Sequence, residues 1–258
     1  MSERRRRQYL EAMGIQRWEP RDAPAEVPVE AGPAAQACAP PPAEPPAPPP
    51  VSEAPPVPAV EAGAGGSAVD QLDWQALAER VAGCTACELH RGRTQTVFGV
   101  GDRQAEWMVI GEAPGAEEDR QGEPFVGRAG QLLNSMLLAM GLKREQVYIA
   151  NILKCRPPNN RDPRPEEVAC CEPYLARQVA LLQPKIILAV GRIAAQNLLK
   201  TDSSLARLRG RAFHYGEGQV PVVVTYHPAY LLRSPREKRK AWEDLQFAMR
   251  LREPGQGT

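Results

Sequence analysis

The stretch that decides the fold is Trp107-Met108-Val109-Ile110-Gly111, with Glu112-Ala113-Pro114-Gly115 directly behind it. The apolar run reads as a buried strand, and the glycines and proline after it as a tight strand exit. Downstream, Ala129 to Met140 has helical spacing and ends at Gly141, the position where a glycine closes a helix. The alternation then repeats. Strand Val147 to Ala150 precedes helix Pro165 to Leu182, strand Lys185 to Val190 precedes helix Ile193 to Leu199, and strand Val222 to Tyr226 precedes helix Pro235 to Leu251. Pro165 falls at the first helical position, where its missing N–H costs nothing. Upstream, Asp70 to Val81 reads as a short helix with acidic capping and Leu72, Leu77 and Val81 on its apolar side. Strands alternating with helices predict an α/β fold: a three-layer α/β/α sandwich around a central, mostly parallel four-stranded sheet.

Outside this region the composition changes. More than half of the 27 prolines crowd into residues 20 to 58. Residues 19–68 hold few large apolar side chains and cannot bury enough surface to offset the entropy of ordering them. The expected organisation is a short helical motif at 1–18, a disordered Pro/Ala-rich linker at 19–68, one globular domain at 69–252, and a disordered tail at 253–258. In the first segment Tyr9, Leu10, Met13, Ile15 and Trp18 form an apolar cluster beside the Arg4 to Arg7 run. Tethered by a flexible linker, such a motif is expected to fold on a protein partner or on DNA.

The net charge of +1 conceals basic clusters at Arg207, Arg209 and Arg211 and at Arg233, Arg236, Lys238, Arg239 and Lys240. They suit a polyanion, although a solvated helix face explains either cluster alone. No apolar run is long enough to cross a bilayer, and the basic start lacks the apolar core of a signal peptide. The expectation is a cytoplasmic monomer without membrane attachment. In a reducing compartment the six cysteines favour metal or redox chemistry over disulfides.

In parallel sheets ligands bind beyond the carboxyl ends of the strands. The residues leaving the strands are Glu112, Ala113 and Gly115, then Asn151, Gly191 and His227-Pro228. A carboxylate, an amide, a glycine and an imidazole thus converge on one edge. The segment Gly111 to Asp119 matches neither a phosphate-binding P-loop nor a dinucleotide fingerprint, which disfavours a nucleoside-triphosphate enzyme. Glu117, Glu118 and Asp119 could orient water or could simply be an acidic helix start. Phe125, in a glycine-flanked loop, could stack on a base or anchor the loop to the core. Cys84 and Cys87 form a C-x2-C pair, with Cys155 and Cys170-Cys171 farther along. Four thiolates could meet there, and scattered ligands favour an iron–sulfur cluster over zinc. Spacing alone does not choose between Cys170 and Cys171.

Taken in order after the cysteine pair, Gly111-Glu-Ala-Pro-Gly115, Pro124-Phe-Val-Gly127, Asn151-Ile-Leu-Lys-Cys-Arg-Pro157, Cys171-Glu-Pro-Tyr174 and His227-Pro-Ala-Tyr230 resemble the family 4 uracil-DNA glycosylases. The likeness spans roughly Trp74 to Met249. It implies that uracil-containing DNA is the substrate and that Cys84, Cys87, Cys155 and Cys171 hold a 4Fe–4S cluster, with Cys170 spare. It also implies a uracil pocket in which the Glu112, Ala113 and Gly115 loop supplies backbone groups, Phe125 stacks, Asn151 reads the base edge and His227 faces O2. Glu118 and Asp119 are the expected water-orienting carboxylates, and Glu118 could instead crowd C5 and exclude thymine. Leu231 and Leu232 are expected to wedge into the base stack, with Arg233 on phosphate. Ala113 stands where the best-known uracil glycosylases carry an aspartate. That departure keeps open a second reading, a non-hydrolytic module that binds or traps uracil-DNA.

Overall fold

The computed structural model of the chain describes residues 69–216 and 219–252. Their order is α1 (Trp74–Ala82), β1 (Val100–Gly101), β2 (Trp107–Gly111), α2 (Ala116–Gln121), α3 (Arg128–Ala139), β3 (Tyr148–Asn151) and α4 (Pro165–Leu182). There follow β4 (Ile186–Val190), α5 (Arg192–Leu199), α6 (Leu205–Leu208), β5 (Ala212–Tyr215), β6 (Val220–Thr225), α7 (Pro228–Arg233) and α8 (Lys238–Arg252). The N-terminal motif, the linker and the tail expected from the sequence lie outside the described residues.

The sheet has six strands in the order β1-β3-β2-β4-β6-β5. The inner four, β3, β2, β4 and β6, are parallel, as the sequence predicts. The expected strand count of four is corrected by an antiparallel strand at each edge. Both escape a reading based on apolar runs: β1 has two residues, and β5 alternates between exposed and half-buried positions.

β2 and β4 are buried along their whole length, because helices cover both faces. Met108, Ile110, Ile187, Ala189, Val222 and Val224 pack toward α1, α4, α5 and α6. Their strand neighbours Trp107, Val109, Ile186, Leu188 and Val223 point the other way, toward α3, α7 and α8. The period-two alternation of a strand thus fills two cores at once and makes the three layers.

Local chemistry sets the element ends. α1 starts at Trp74, four residues after the expected Asp70, because Asp73 is the better-placed cap: its Oδ1 accepts from the Gln75 and Ala76 N–H groups at 3.0 and 2.8 Å. α3 ends where expected, with Gly141 at φ 84°. The expected helix from Pro235 begins instead as a 3₁₀ turn, Pro235–Glu237, before α8. From β2 the chain moves to β3 on one side, and from β4 to β6 on the other. The crevice between diverging connections therefore opens at the carboxyl ends of these strands. Among the described residues no helix is long and apolar enough to cross a membrane.

Candidate active site and cysteine cavity

At that carboxyl edge lies a cleft of about 440 Å³. Its wall contains Glu112, Ala113, Pro114 and Gly115 from the β2 exit, Glu118 from α2, Phe125, Asn151, and His227 from the β6 exit. Pro157, Asn160, Arg161 and Asp162 close one side, and Tyr230 and Arg233 of α7 line another.

Asn151 ends β3 and is 2% exposed. Its carbonyl accepts from Lys154 Nζ at 2.9 Å, and the same ammonium donates to Gln178 Oε1 at 2.6 Å. Its side-chain Oδ1 is buried and has no hydrogen-bond partner. Leaving such an acceptor unsatisfied costs about 1–3 kcal/mol, a cost that a ligand N–H would remove. Gly111 makes the placement possible: a Cβ there would strike both Asn151 Oδ1 and the Phe125 ring.

Phe125 is buried with its backbone in the left-handed region, φ 54°. For a residue with a Cβ this costs roughly 1–2 kcal/mol. Arg144 holds the loop there by donating to the Pro124 carbonyl at 2.5 Å and the Phe125 carbonyl at 3.4 Å. The Phe125 ring stacks on His227, with centroids 5.5 Å apart and planes inclined by 30°. A flat slot for a planar ring is thus lined by an aromatic face, an amide edge and an imidazole.

His227 caps α7. Its Nδ1 accepts from the Ala229 N–H at 3.1 Å, which assigns the ring proton to Nε2. Burial, and then the charge of Arg233, pushes its pKa down to about 4, while Glu118 pulls the other way. At neutral pH it is a neutral donor through Nε2. Gly191, at φ 100°, clears its path, since a Cβ there would lie 3.0 Å from the His227 Cβ.

The three carboxylates of this edge separate. Glu118 Oε1 accepts from the Val126 and Gly127 N–H groups at 3.1 and 3.3 Å and borders the cleft. Burial, then the neighbouring Asp162, pushes the Glu112 carboxyl up to about 7, against the pull of Arg192. Asp119 departs from expectation. It is buried with both oxygens on the Thr94 N–H, at 2.9 and 3.1 Å, and does not line the cleft. Successive helical residues point about 100° apart, and here Glu118 turns to the cleft while Asp119 turns away from it. The same geometry corrects the pair in α7: Leu231 is 1% exposed inside the core, whereas Leu232 is 36% exposed. Only Leu232 is available as a wedge.

On the α1 and α4 side of the sheet Cys84, Cys87, Cys155, Cys170 and Cys171 line one small cavity with His90, Arg93, Lys154 and Tyr174. Protein donors already reach three sulfurs. Arg93 Nη1 lies 3.1 Å from Cys155 Sγ, the Lys154 N–H 3.3 Å from Cys171 Sγ, and the Tyr174 hydroxyl 3.2 Å from Cys84 Sγ. Cys170 differs, donating to the Ala86 carbonyl at 3.4 Å. Burial pushes the Cys171 thiol up to about 12. Among the described residues no three His, Cys, Asp or Glu side chains are grouped to hold a single metal ion.

The family model of the uracil DNA glycosylase superfamily matches residues 98–246. A type-4 uracil-DNA glycosylase of Archaeoglobus fulgidus is 45% identical over 177 residues, 66% of this chain and 88% of that protein. Those of Sulfurisphaera tokodaii and Thermotoga maritima are 43% and 44% identical, over 66% and 67% of this chain and 80% and 91% of their own. The chain belongs to the type-4 family of the uracil-DNA glycosylase superfamily. For a type-4 chain the alternative of a non-hydrolytic trapping module is not favoured.

In this chain the cleft brings together Glu112, Ala113, Gly115, Glu118, Phe125, Asn151, His227 and Arg233, and a separate cavity the cysteines. Sequence reasoning missed Arg144, which holds the Phe125 loop, and Lys154, which joins the Asn151 carbonyl to α4. A lone arginine after a helix carries no signal. The burial of Lys154 is legible only in three dimensions.

Proposed function

We propose that this protein is a hydrolytic DNA glycosylase of base excision repair: it flips uracil out of DNA and cleaves the N-glycosidic bond, leaving an abasic site. The buried, unpartnered Oδ1 of Asn151 carries the reading. Uracil presents N3–H beside O4, and one amide supplies the matching acceptor and donor. Extrusion from the duplex costs a few kcal/mol of pairing and stacking, which the slot beside Phe125 offsets. As the bond breaks, negative charge grows on uracil, and the Nε2 proton of His227 stabilises it at O2. A water then captures C1′. Glu112, whose carboxyl titrates near neutral pH, is the cleft group suited to take its proton. Glu118, fixed by two backbone N–H groups at the cleft wall, is assigned to crowd C5 and exclude the thymine methyl. Leu232 enters the base stack and Arg233 meets phosphate. Multiple-turnover release of free uracil from a uracil-containing oligonucleotide tests the reading; binding without release would end it.

The cysteines suit a 4Fe–4S cluster held by Cys84, Cys87, Cys155 and Cys171. Four thiolates from three separate segments, three with a hydrogen-bond donor, match such a group better than a single ion. A buried Lys154 ammonium, bonded to two neutral oxygens, supplies a counter-charge beside it. The cluster would act as a rigid cross-link between the segment after α1, the β3 exit and α4. Iron and sulfide analysis of anaerobically purified protein checks it. The protein acts in the cytoplasm as a monomer, and residues 1–18 recruit a protein partner or DNA. Deleting residues 2–20 without change in activity, stability or co-purifying proteins would remove that last role.

A further inference from the structure

The cleft mouth carries an aromatic residue that reading uracil does not use. Tyr230 is 37% exposed and borders the cleft. Its ring stacks on Tyr226, with centroids 5.2 Å apart and planes inclined by 20°. The Arg209 guanidinium lies over the Tyr226 ring at 4.6 Å. Arg209 is itself fixed: its Nε and Nη2 reach the Asp244 carboxylate at 2.7 and 3.0 Å, and Nη2 donates to the Lys240 carbonyl at 2.6 Å. That pair is nearly buried, with side-chain exposures of 13% and 2%. Arg209, although part of a basic cluster, therefore serves the fold and a stack rather than a phosphate.

From Arg209 through Tyr226 to Tyr230 runs a series of planar groups, anchored at its inner end and open to solvent beside the uracil cleft. An exposed aromatic on a fixed support is poised to take one more planar group, because its rotamer entropy is already spent on the stack beneath it. The adjoining cleft identifies that group. When a nucleotide leaves the duplex, its neighbours lose a stacking partner, and a base has a π-face whatever its sequence. We propose that Tyr230 stacks on the nucleobase flanking the flipped uracil, as a positioning residue for DNA. The Tyr230 N–H donates to the His227 carbonyl at 2.9 Å, so the flanking base and the imidazole are registered to one turn of α7. The inference rests on the uracil-excision reading.

The test is a cycle on oligonucleotides with a normal base or a tetrahydrofuran abasic residue beside uracil, on the 5′ or the 3′ side. Tyr230→Ala is expected to raise KM by about tenfold on the normal substrate, the scale of one base–aromatic stack, with kcat nearly unchanged. Tyr230→Phe should behave as the parent. Removing the flanking base on the correct side should cost the parent the same factor and Tyr230→Ala nothing further. Equal losses for Tyr230→Ala with and without both flanking bases, no loss at all, or failure of Tyr230→Phe to retain binding would overturn the proposal. If the parent released no uracil, fluorescence anisotropy with the same oligonucleotides would complete the cycle as Kd values, separating this inference from the activity.

Discussion

The cleft and the cysteine cavity lie in one domain and satisfy their polar groups in opposite ways. In the cleft, Asn151 Oδ1 is buried without a partner and the Nε2 proton of His227 is free of the cap that engages Nδ1. In the cavity three sulfurs already receive donors from Arg93, Lys154 and Tyr174. A site that must accept and release a ligand leaves its own valences open, at a cost to the empty state. A site for a resident group closes around it. Substitutions should therefore separate: cleft variants lose rate without a loss of the fold, and cavity variants lose the fold's stability first.

The largest effect is expected for Asn151→Asp. A carboxylate cannot donate to O4, and a site built to hydrogen-bond its substrate rejects a mismatch strongly, so uracil kcat/KM should fall by about 10³-fold or more. Residual activity should shift toward cytosine in a matched oligonucleotide assay. His227→Ala removes one donor to the developing anion and should lower kcat by about 10²–10³-fold. Because His227 titrates at about 4, the parent's rate should show no histidine inflection between pH 5 and 7.

Cys171→Ala is expected to lose most iron and to melt roughly 10 °C lower, a loss of about 3 kcal/mol for a domain of this size. Cys170→Ala should keep its iron and its melting temperature. If the two exchanged behaviour, the fourth ligand would be reassigned. Glu112→Gln gives the smallest stability effect, beside a fall in kcat of about 10²-fold from the missing proton acceptor. The Glu112 carboxyl titrates at about 7 in the folded chain against an ordinary 4.5, so its contribution is fully present below 4.5 and is lost as pH rises through 7. The amide should flatten that decline and add about 1–2 kcal/mol at pH 8, allowing for solvent in the cleft, with no gain at pH 4. Denaturant midpoints at the two pH values read it.

The strands and helices of the inner sheet were legible because full burial writes continuous apolar runs, as in Trp107 to Gly111 and Ile186 to Val190. The exits of those strands then named Glu112, Asn151 and His227 without three-dimensional information, since parallel topology sends every carboxyl end to one edge. What stayed hidden depends on direction rather than position. Asp119 beside Glu118, and Leu231 beside Leu232, differ by one residue and by about 100° of helical azimuth. The edge strands were invisible for another reason: β5 is too exposed to differ in composition from a loop.

Phe125 joins a left-handed backbone to an aromatic side chain, two properties that favour different residues. Glycine would relax the main chain at that position, and phenylalanine alone presents the ring to His227. Position 125 is therefore a place where two selections diverge. A library screened only for heat resistance should drift toward glycine or asparagine there, and one screened for uracil release should return to phenylalanine. A thermostabilised descendant of this protein that had lost its aromatic slot would be sturdy, soluble and idle.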